Sequence, residues 1–344
     1  MRPALRALAA QQGGVVSRRQ CLAVGYTEVE LRGLTAVHGP WVTVRRGVYA
    51  ERELWEAATG YDERARLHDR AVHLMTETEH VMSHDSAARA LRLPLLQPRH
   101  ELSHLTRPGV GGSRTERGVK HHLTRVPLGD TEVVDDVEVT GLARTGVDVA
   151  REHGLAAGVV ALDAVLARGA SRRALELETT VMWCWPGVRT AREAVALADG
   201  GAESPGESLT RLLLVELGLG PVDTQFPVSV GGRVYWVDHR VGCHLVEFDG
   251  QLKVRGVADG GVATRPAEDV LWDERRRQVA ICGEGLGMSR VEWADLFGSR
   301  REATGRRILA EHAVTRERFG DRLPDHLAER AALIRRTTPR RRSA

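Results

Sequence analysis

Five charged residues in the second half of the chain have the types and spacing for metal-dependent chemistry on phosphate. Glu247 and Asp249 lie two residues apart in an apolar stretch, so on a strand their side chains point to one face. Asp238 ends another apolar stretch, Val-Tyr-Trp-Val-Asp, which a neighbouring strand would hold beside them. Carboxylates on one face of an apolar strand are costly to bury unless a cation or a proton compensates their charge. Mg²⁺ prefers such oxygen ligands, and it can activate water and stabilise charge on a phosphodiester.

The fourth residue is a lysine in a chain that otherwise uses arginine. Of the 49 Lys and Arg residues, only Lys120 and Lys253 are lysines. Lys253 follows Asp249 by four residues, so its ammonium can lie near the same water or phosphate. Because a compact ammonium and a planar guanidinium are not interchangeable, Lys253 is predicted to orient or polarise water. Nothing in the sequence around Lys120 gives the other lysine a role.

The fifth residue, Glu207, has two interpretations that the sequence leaves open. It stands three residues after Ser204, with Pro205 at the first helical position, which is the pattern of a capping box. Its carboxylate would otherwise join the three acids named above. Those acids have plain structural interpretations too, with Asp238 as a turn residue on an edge strand and Asp249 in a hairpin turn.

The elements that would position these residues alternate regularly between positions 204 and 297. The patterns predict a helix over 208–217, strands over 225–230, 234–238 and 243–249, a helix over 266–282 and a strand over 287–291. The Gly-rich stretch 200–206 predicts a domain boundary, which places one domain at 201–300. Residues 301–344 are rich in arginine and are predicted to form a basic helical tail, partly disordered.

Residues 1–55 carry the pattern of a winged helix-turn-helix. Two capping boxes, at Ser17 and Thr27, start short helices, and a strand–turn–strand pattern follows. The helix over 27–37 would enter a major groove with Arg32, while Arg45 and Arg46 at the tip of the wing would contact phosphates. The alternative is a small packing or partner-binding module, because the same helix also carries two glutamates.

Residues 56–200 are predicted to be a mixed region of helices and strands. Strands over 101–106 and 118–123 are expected on either side of a Gly-rich turn. The pairs His68-Asp69 and His84-Asp85 are interpreted as helix caps or solvated polar pairs. The pair His121-His122 lies in a strand, where neighbouring side chains face opposite ways and do not easily share one metal ion. No metal site is predicted in this region.

Composition excludes several classes of protein. No apolar run approaches the roughly 18–20 residues of a membrane span, and the first residues lack the pattern of a signal peptide. The four cysteines lie far apart, which gives neither a zinc signature nor a disulfide framework. Aromatic residues make up only 4% of the chain, which argues against broad platforms for stacking bases. A cytoplasmic protein without a membrane partner is expected.

Residues 204–297 resemble the PD-(D/E)XK nuclease superfamily, and within it the branch similar to very-short-patch-repair endonucleases. The resemblance implies that Glu207 is the acid of the first helix and that Asp238 and Glu247 are the metal-binding pair. Asp249 stands where the superfamily has lysine, and Lys253 would replace that lysine. The stretches that carry the resemblance are Ser-Pro-Gly-Glu-Ser (204–208), Val-Asp (237–238), Val-Glu-Phe-Asp-Gly-Gln-Leu-Lys (246–253), Asp-Glu-Arg-Arg-Arg (273–277) and Arg-Val-Glu-Trp-Ala-Asp-Leu (290–296).

Residues 1–200 resemble the AbiEi-type antitoxins and transcriptional regulators of type IV toxin-antitoxin systems. The shared features are the winged-helix pattern and three short motifs, Arg46-Gly-Val-Tyr49, Ser83-His-Asp-Ser-Ala-Ala88 and Val139-Thr-Gly-Leu-Ala-Arg-Thr145. The resemblance implies DNA binding, with an operator or a cognate toxin gene product as partner.

The sequence therefore predicts an α+β multidomain protein with a winged helix-turn-helix, a mixed middle region and a PD-(D/E)XK nuclease-like α/β domain. The leading hypothesis is a DNA-binding protein that hydrolyses phosphodiesters with Mg²⁺ held by Asp238, Glu247 and Asp249. The rival hypothesis is a non-enzymatic, antitoxin-like transcriptional regulator with a degenerate nuclease fold. A third is a partner-binding scaffold, which would have no salt-dependent affinity for DNA.

Overall fold

A computed structural model describes residues 1–96, 101–108, 112–123, 131–250, 267–338 and 340. Contacts between Cα atoms divide the chain into two compact units. One consists of Met1–Val165 with Gly169–Ala196, and the other of Leu166–Arg168 with Leu197–Ala344. The predicted mixture of helices and strands is confirmed. The predicted limit between residues 200 and 201 lies close to this division, whereas those after residues 55 and 300 fall inside the units.

The first unit begins with three short helices and a small antiparallel sheet. The two predicted capping boxes are confirmed, since Ser17 and Thr27 each accept the N3 amide while Gln20 and Glu30 reach back to the cap. The helix predicted to run to Val37 ends at Leu34. The sheet has the order β1-β3-β2. The elements are α1 (Pro3–Gln11), β1 (Val15–Ser17), α2 (Arg18–Ala23), α3 (Glu28–Leu34), β2 (Trp41–Arg45) and β3 (Val48–Glu51).

The rest of the first unit is a mixed sheet with helices packed against it. Its strand order is β6-β7-β5-β4-β9-β8. The strands are β4 (Val81–Met82), β5 (Ser103–Arg107), β6 (Arg114–Glu116), β7 (Val119–Leu123), β8 (Thr131–Val134) and β9 (Val137–Thr140). The helices are α4 (Arg52–Ala57), α5 (Tyr61–Met75), α6 (His84–Ala90), α7 (Leu142–His153), α8 (Leu155–Ala167), α9 (Arg172–Val181) and α10 (Val188–Leu197).

The expected turn between the strands at 101–106 and 118–123 needs correction. Strands β5 and β7 are parallel neighbours, and the hairpin partner of β7 is the short strand β6. The hairpin turns at Arg117 and Gly118, which both have positive φ and suit the right-handed twist of the strands. The parallel register sets His104 beside Lys120 and Thr106 beside His122, so these four side chains share one face of the sheet.

The second unit contains the predicted order of helix, strand, strand, strand, helix and strand. Its sheet has the order β10-β11-β12-β13, and β12 runs parallel to β13. A short 3₁₀ helix (Trp293–Leu296) and two long helices follow. The elements are α11 (Pro205–Glu216), β10 (Asp223–Val230), β11 (Arg233–Val241), β12 (His244–Asp249), α12 (Ala267–Cys282), β13 (Gly287–Glu292), α13 (Gly298–Phe319) and α14 (Asp325–Thr337).

Residues 301–338 belong to the compact second unit and not to a separate tail. Leu327 and Ala331, four residues apart on one face of α14, pack into a core with Phe226 and Leu245. The arginine content masked this apolar spacing. Helix α13 has 22 residues but carries Arg and Glu along its length. Within the described ranges, no helix is both long enough and apolar enough to cross a membrane.

Candidate functional site

Glu207 completes the N-terminal cap of helix α11. Its backbone N–H donates to the Ser204 Oγ at 3.2 Å, and its carboxylate accepts from the Ser204 hydroxyl and the Glu203 N–H, each at 2.9 Å. Ser204 is therefore the N-cap, as that interpretation predicts, but the Glu207 carboxylate accepts from the Glu203 N–H and not from the Ser204 N–H that would close a capping box. The neighbouring Gly206 lies so close to Phe248 of β12 that a Cβ there would sit 2.1 Å from the ring. A side chain at 206 would therefore push α11 away from the acidic strand.

Gln225 links Glu207 to Asp238, a connection that the sequence pattern did not predict. Its amide Nε2 donates to Glu207 Oε2 at 3.0 Å and, more weakly, to Asp238 Oδ1 at 3.4 Å. Gln225 is buried and has a φ of +55°, a conformation that non-glycine residues rarely adopt. Such backbone strain persists only where surrounding contacts enforce it. A buried amide thus holds the two acids in one network.

Asp238 also ends the pairing between its strand and β12. The ladder between β11 and β12 stops at the pair His239 and Val246. Beyond that pair, the Asp238 Oδ2 accepts the Phe248 backbone N–H at 2.8 Å. The carboxylate therefore takes the place of the next ladder carbonyl, and both of its oxygens already have protein donors.

Glu247 and Asp249 lie in a second network, which is built around arginine. Arg277 of α12 donates through Nη2 to both oxygens of Glu247, at 2.7 and 2.6 Å, and also pairs with Glu274. Arg290 of β13 pairs with Glu274 and lies 3.8 Å from Asp249. Burial opposes the charge of Arg277, but hydrogen bonds to Glu274 and the charge of Glu247 raise its pKa above the ordinary value. Glu247 is thus compensated by a protein cation.

These two networks do not form the oxygen cage that the sequence predicts for Mg²⁺. Glu207 and Asp238 are joined through an amide, whereas Glu247 and Asp249 face arginines. Among the described carboxylates, no three place an oxygen each within 4.8 Å of one another. Lys253 lies outside the described residues. In this arrangement the acids do not fit a shared divalent ion, and a Mg²⁺ site remains a prediction.

The predicted DNA contacts lie at the surface of the N-terminal module. Arg32 on α3 and Arg46 in the turn between β2 and β3 are exposed, and Arg45 is half-buried. The acids of α3 are both engaged inside the module: Arg18 donates to Glu28, and Arg2 donates to Glu30 at 3.1 Å. Glu30 also accepts the Thr27 N–H as part of the capping box, which helps to lower its pKa.

The pairs His68-Asp69 and His84-Asp85 are interpreted from the sequence as helix caps or solvated polar pairs, but three of these four side chains are buried and only His68 is half-buried, which corrects the solvated alternative. Asp69 of α5 accepts from Arg89 at 2.8 Å and from the Ser86 hydroxyl at 2.6 Å. His84 and Asp85 at the start of α6 are 3% and 0% exposed. Because burying an unpaired polar group is costly, such positions require partners from other elements, which a local pattern does not reveal.

A histidine cluster in the same unit was also missed. His84, His104 and His122 each place a ring nitrogen so that the three atoms lie within 4.8 Å of one another. In the part of the chain that the structure describes, this is the only such group of three or more His, Cys, Asp or Glu side chains. The sequence signal was weak, because His104 and His122 become neighbours only through the parallel pairing of β5 and β7.

Comparison with known proteins gives similarity over part of the chain. No family model matches it. Two proteins of Mycobacterium tuberculosis, "Uncharacterized protein MT2308" and "Uncharacterized protein Rv2248", are each 35% identical to it over 137 residues. The match covers 39% of this chain, which spans about half (49%) of the length of these curated relatives. Neither name states a ligand, a reaction or a partner.

Proposed function

We propose that this protein is a DNA-binding, antitoxin-like transcriptional regulator. The observation that carries the proposal is the pairing of the acids of α3 within the N-terminal module. Glu28 and Glu30 were the main argument against a DNA-facing helix, and their charges are met by Arg18 and Arg2. Helix α3 therefore presents Arg32 without a net acidic surface.

The architecture of the module supports the same proposal. Three short helices, a third strand that pairs with a β-hairpin, and a basic hairpin tip are the parts that a winged helix-turn-helix requires, which supports this proposal. In such a module a helix lies in the major groove and the wing contacts the backbone, which suits Arg45 and Arg46. The proposed partners are an operator near its own gene and a cognate toxin gene product.

The second unit is proposed to be a nuclease-like fold that does not hydrolyse DNA. Its order of elements follows the PD-(D/E)XK resemblance, but the acid that would bind metal most directly, Glu247, is held by two hydrogen bonds from Arg277. A carboxylate that already accepts two hydrogen bonds from a half-buried guanidinium gains little from a second cation.

DNA binding is tested with full-length protein and a duplex from the region upstream of its own gene, followed by fluorescence anisotropy at several salt concentrations. We expect affinity to fall with salt, because phosphate contacts release counterions. The triple variant Arg32→Ala, Arg45→Ala, Arg46→Ala should weaken binding and lower the salt slope by about one per lost phosphate contact. The matched control replaces Arg173 and Arg189, exposed arginines on α9 and α10. Equal losses in the control, or binding insensitive to salt, would contradict the proposal.

The hydrolytic alternative is tested with the same protein, incubated with Mg²⁺ or Mn²⁺ and with single-stranded, double-stranded and mismatched DNA. We expect no cleavage. Cleavage that disappears in Asp238→Ala would replace the regulatory proposal for the second unit with the nuclease hypothesis. Cleavage that persists in Asp238→Ala would be assigned to a contaminant.

A further inference from the structure

We propose that His84, His104 and His122 form a binding site for a divalent transition-metal ion of the Zn²⁺ class. The site lies in the first unit and is independent of the proposed DNA binding. Imidazole nitrogens suit Zn²⁺, Cu²⁺, Ni²⁺ and Fe²⁺, whereas Mg²⁺ prefers oxygen. The three side chains come from separate elements, α6, β5 and β7, so the folded sheet assembles the group.

The spacing of two of the ligands fits a shared ion. His104 Nδ1 and His122 Nε2 are 3.1 Å apart. Two nitrogens that each lie about 2.0–2.1 Å from a tetrahedral zinc ion are separated by about 3.3 Å. In this hydrogen bond one of the two nitrogens carries a proton. Coordination by both rings therefore requires that ring to hold its proton on the other nitrogen, in addition to a small opening of the contact.

His84 is the third member of the group, and its ring lies against the face of the His122 ring. The two rings are stacked, with centroids 3.7 Å apart and an angle of 12° between their planes. Joint coordination requires the His84 ring to rotate out of this stack, since a lone pair lies in the plane of its ring. His84 lines an adjoining cleft of about 300 Å³ together with His122, which leaves room for that rotation.

Burial disfavours the protonated form of all three imidazoles. It lowers the pKa of His84 and of His104 well below the ordinary range, and it lowers the pKa of His122 to about 4. A neutral ring can coordinate directly, whereas a protonated one must first lose its proton.

Buried carboxylates lie behind two of the rings. Asp85 Oδ2 is 3.7 Å from His104 Nε2, and Asp148 Oδ1 is 3.8 Å from His84 Nε2. Histidine ligands of metals usually donate their other N–H to such a carboxylate, which orients the ring. Asp85 Oδ2 is buried without a hydrogen-bond partner, so a slight shift of His104 towards it would satisfy both groups.

The backbone at His84 is strained in a way that favours a functional role. His84 has a φ of +48° at the first position of α6, although it is neither glycine nor asparagine. Residues held in such conformations cluster at ligand sites, because the surroundings must compensate the strain. This backbone conformation places the His84 side chain in the cluster. A helix start that served no ligand would favour a residue such as glycine or asparagine at this φ.

The cleft gives the ion access and leaves part of its coordination sphere open. Its walls include Thr106, Lys120, Arg151 and Glu152 beside His84 and His122. Lys120, the lysine without a sequence-based role, pairs here with Glu152. Three protein ligands and an open position are typical of zinc sites that bind water or a further small ligand.

The test uses full-length protein that has been treated with chelator and exchanged into metal-free buffer. Zn²⁺ is added, unbound ion is removed by gel filtration, and retained metal is counted by mass spectrometry. We expect one Zn²⁺ per chain. Co²⁺ added in the same way should give the visible absorption bands of a low-coordinate nitrogen site, a signature that unspecific surface binding does not produce.

The variants remove one ligand each and preserve the fold as far as possible. His84→Asn suits the positive φ, since asparagine is enriched in that conformation, and His122→Gln keeps a polar side chain. Each should lower Zn²⁺ affinity at least about 10–100-fold, the loss typical even of residues that only support ligands. The matched control is His73→Gln, because His73 and His80 form a similar contact of 3.0 Å that no third histidine among the described residues joins.

Thermal unfolding supplies a second measurement. Zn²⁺ should raise the unfolding temperature of the wild type and of His73→Gln, because a ligand bound to the folded state stabilises it. The shift should be absent in His84→Asn and His122→Gln. The proposal is overturned if the wild type retains no Zn²⁺, or if either ligand variant retains Zn²⁺ and shows a thermal shift as the control does.

Discussion

The acidic region of the second unit and the histidine cluster of the first unit differ in how their polar side chains are compensated. Around Glu247, every acid of the arginine network faces a guanidinium at short distance. Around His104, the ring nitrogens face one another, and the nearest carboxylate oxygen, Asp85 Oδ2, has no hydrogen-bond partner. The acids of the first group are thus paired with protein cations, whereas we propose that the second group binds a cation from solution.

The difference teaches that the charge of a side chain and its availability to a ligand are separate properties. Four acids on elements that are predicted to be neighbours suggest a metal site, because burying them without a cation is costly. The protein supplies cations of its own, Arg277 and Arg290. Burying neutral imidazoles does not carry the cost of burying a charge, so histidines in a sequence do not by themselves predict a metal site. They nevertheless bind transition metals well. The acids, which are easier to recognise in the sequence, are therefore less able to bind a metal ion than the histidines.

The largest expected effect tests whether Glu247 depends on its arginine. Arg277→Met should lower the local free energy of unfolding around β12 by up to about 3 kcal/mol, because it leaves the buried Glu247 carboxylate with only the more distant Arg290, 3.9 Å away. Hydrogen exchange of peptides covering 205–250 measures this. The double variant with Glu247→Gln should recover much of the loss. The control is Arg301→Met, which breaks the more exposed ion pair with Glu216 and should cost under about 1 kcal/mol.

Equal losses in Arg277→Met and Arg301→Met would contradict the idea of a closed acidic network. If Mg²⁺ restored the stability of Arg277→Met, the difference between the two regions would have a different origin. It would mean that the acids accept a metal ion once the guanidinium is removed, so that the arginine alone separates this unit from a metal-binding one.

The next effect concerns the pair His73 and His80, which resembles the cluster but lacks a third ligand. Burial, together with His80 and Arg70, lowers the pKa of His73 to about 4. The free energy of unfolding is therefore unaffected by His73 above pH 6.5, the pKa of the ring in the unfolded chain. It falls as the pH decreases from 6.5 towards 4, because the unfolded chain then binds a proton that the folded protein does not. Because His73 is partly exposed, we expect the loss to be at most about 2 kcal/mol.

Titration by NMR checks this prediction directly. The His73 signals should shift with a midpoint near pH 4 in the folded protein, and the acid-induced loss should shrink in His73→Gln. Zn²⁺ should leave this titration unchanged, because two histidines without a third do not make the proposed site. A midpoint near 6.5 would mean that burial does not govern the protonation of histidines in this unit.

Local signals in the sequence predicted the elements well. The capping boxes at Ser17 and Thr27 depend on residues three positions apart, and the order of elements between 204 and 297 depends on short apolar patterns. Those patterns span only a few residues, so they can be recognised in a single sequence. The long-range packing of α14 through Leu327 and Ala331 had an apolar spacing too, but the surrounding arginines hid it.

The parts of the site that escaped prediction depend on contacts between distant residues. Arg277 lies 30 positions from Glu247, and among so many arginines nothing in its own stretch distinguishes it. Gln225 links two acids from a position with a positive φ, which nothing in the sequence around it indicates. His104 and His122 meet through a parallel pairing that the expected turn between their strands did not allow. Register and conformation, not residue type, decide these contacts.

The smallest expected effect separates the two roles considered for Glu207. Ser204→Ala removes the hydroxyl that accepts the Glu207 N–H and should cost about 1 kcal/mol, as is usual for the loss of an N-cap. Glu207→Gln keeps one oxygen that can accept from the Glu203 N–H, and its amide N–H can donate to the Ser204 Oγ in place of the bond that the hydroxyl now donates to the carboxylate. It should therefore cost less than Ser204→Ala in hydrogen exchange of α11.

The charge of Glu207 is what distinguishes a metal ligand from a cap. If the residue is only a cap, Glu207→Gln should leave the response of the second unit to Mg²⁺ unchanged, because the cap uses the oxygen as an acceptor and not as an anion. The amide link from Gln225 should also persist, since the new side chain retains one carbonyl oxygen for it. A Mg²⁺-dependent protection of α11 that is lost in Glu207→Gln would instead place this acid among metal ligands, and it would bring the acidic region closer in kind to the histidine cluster.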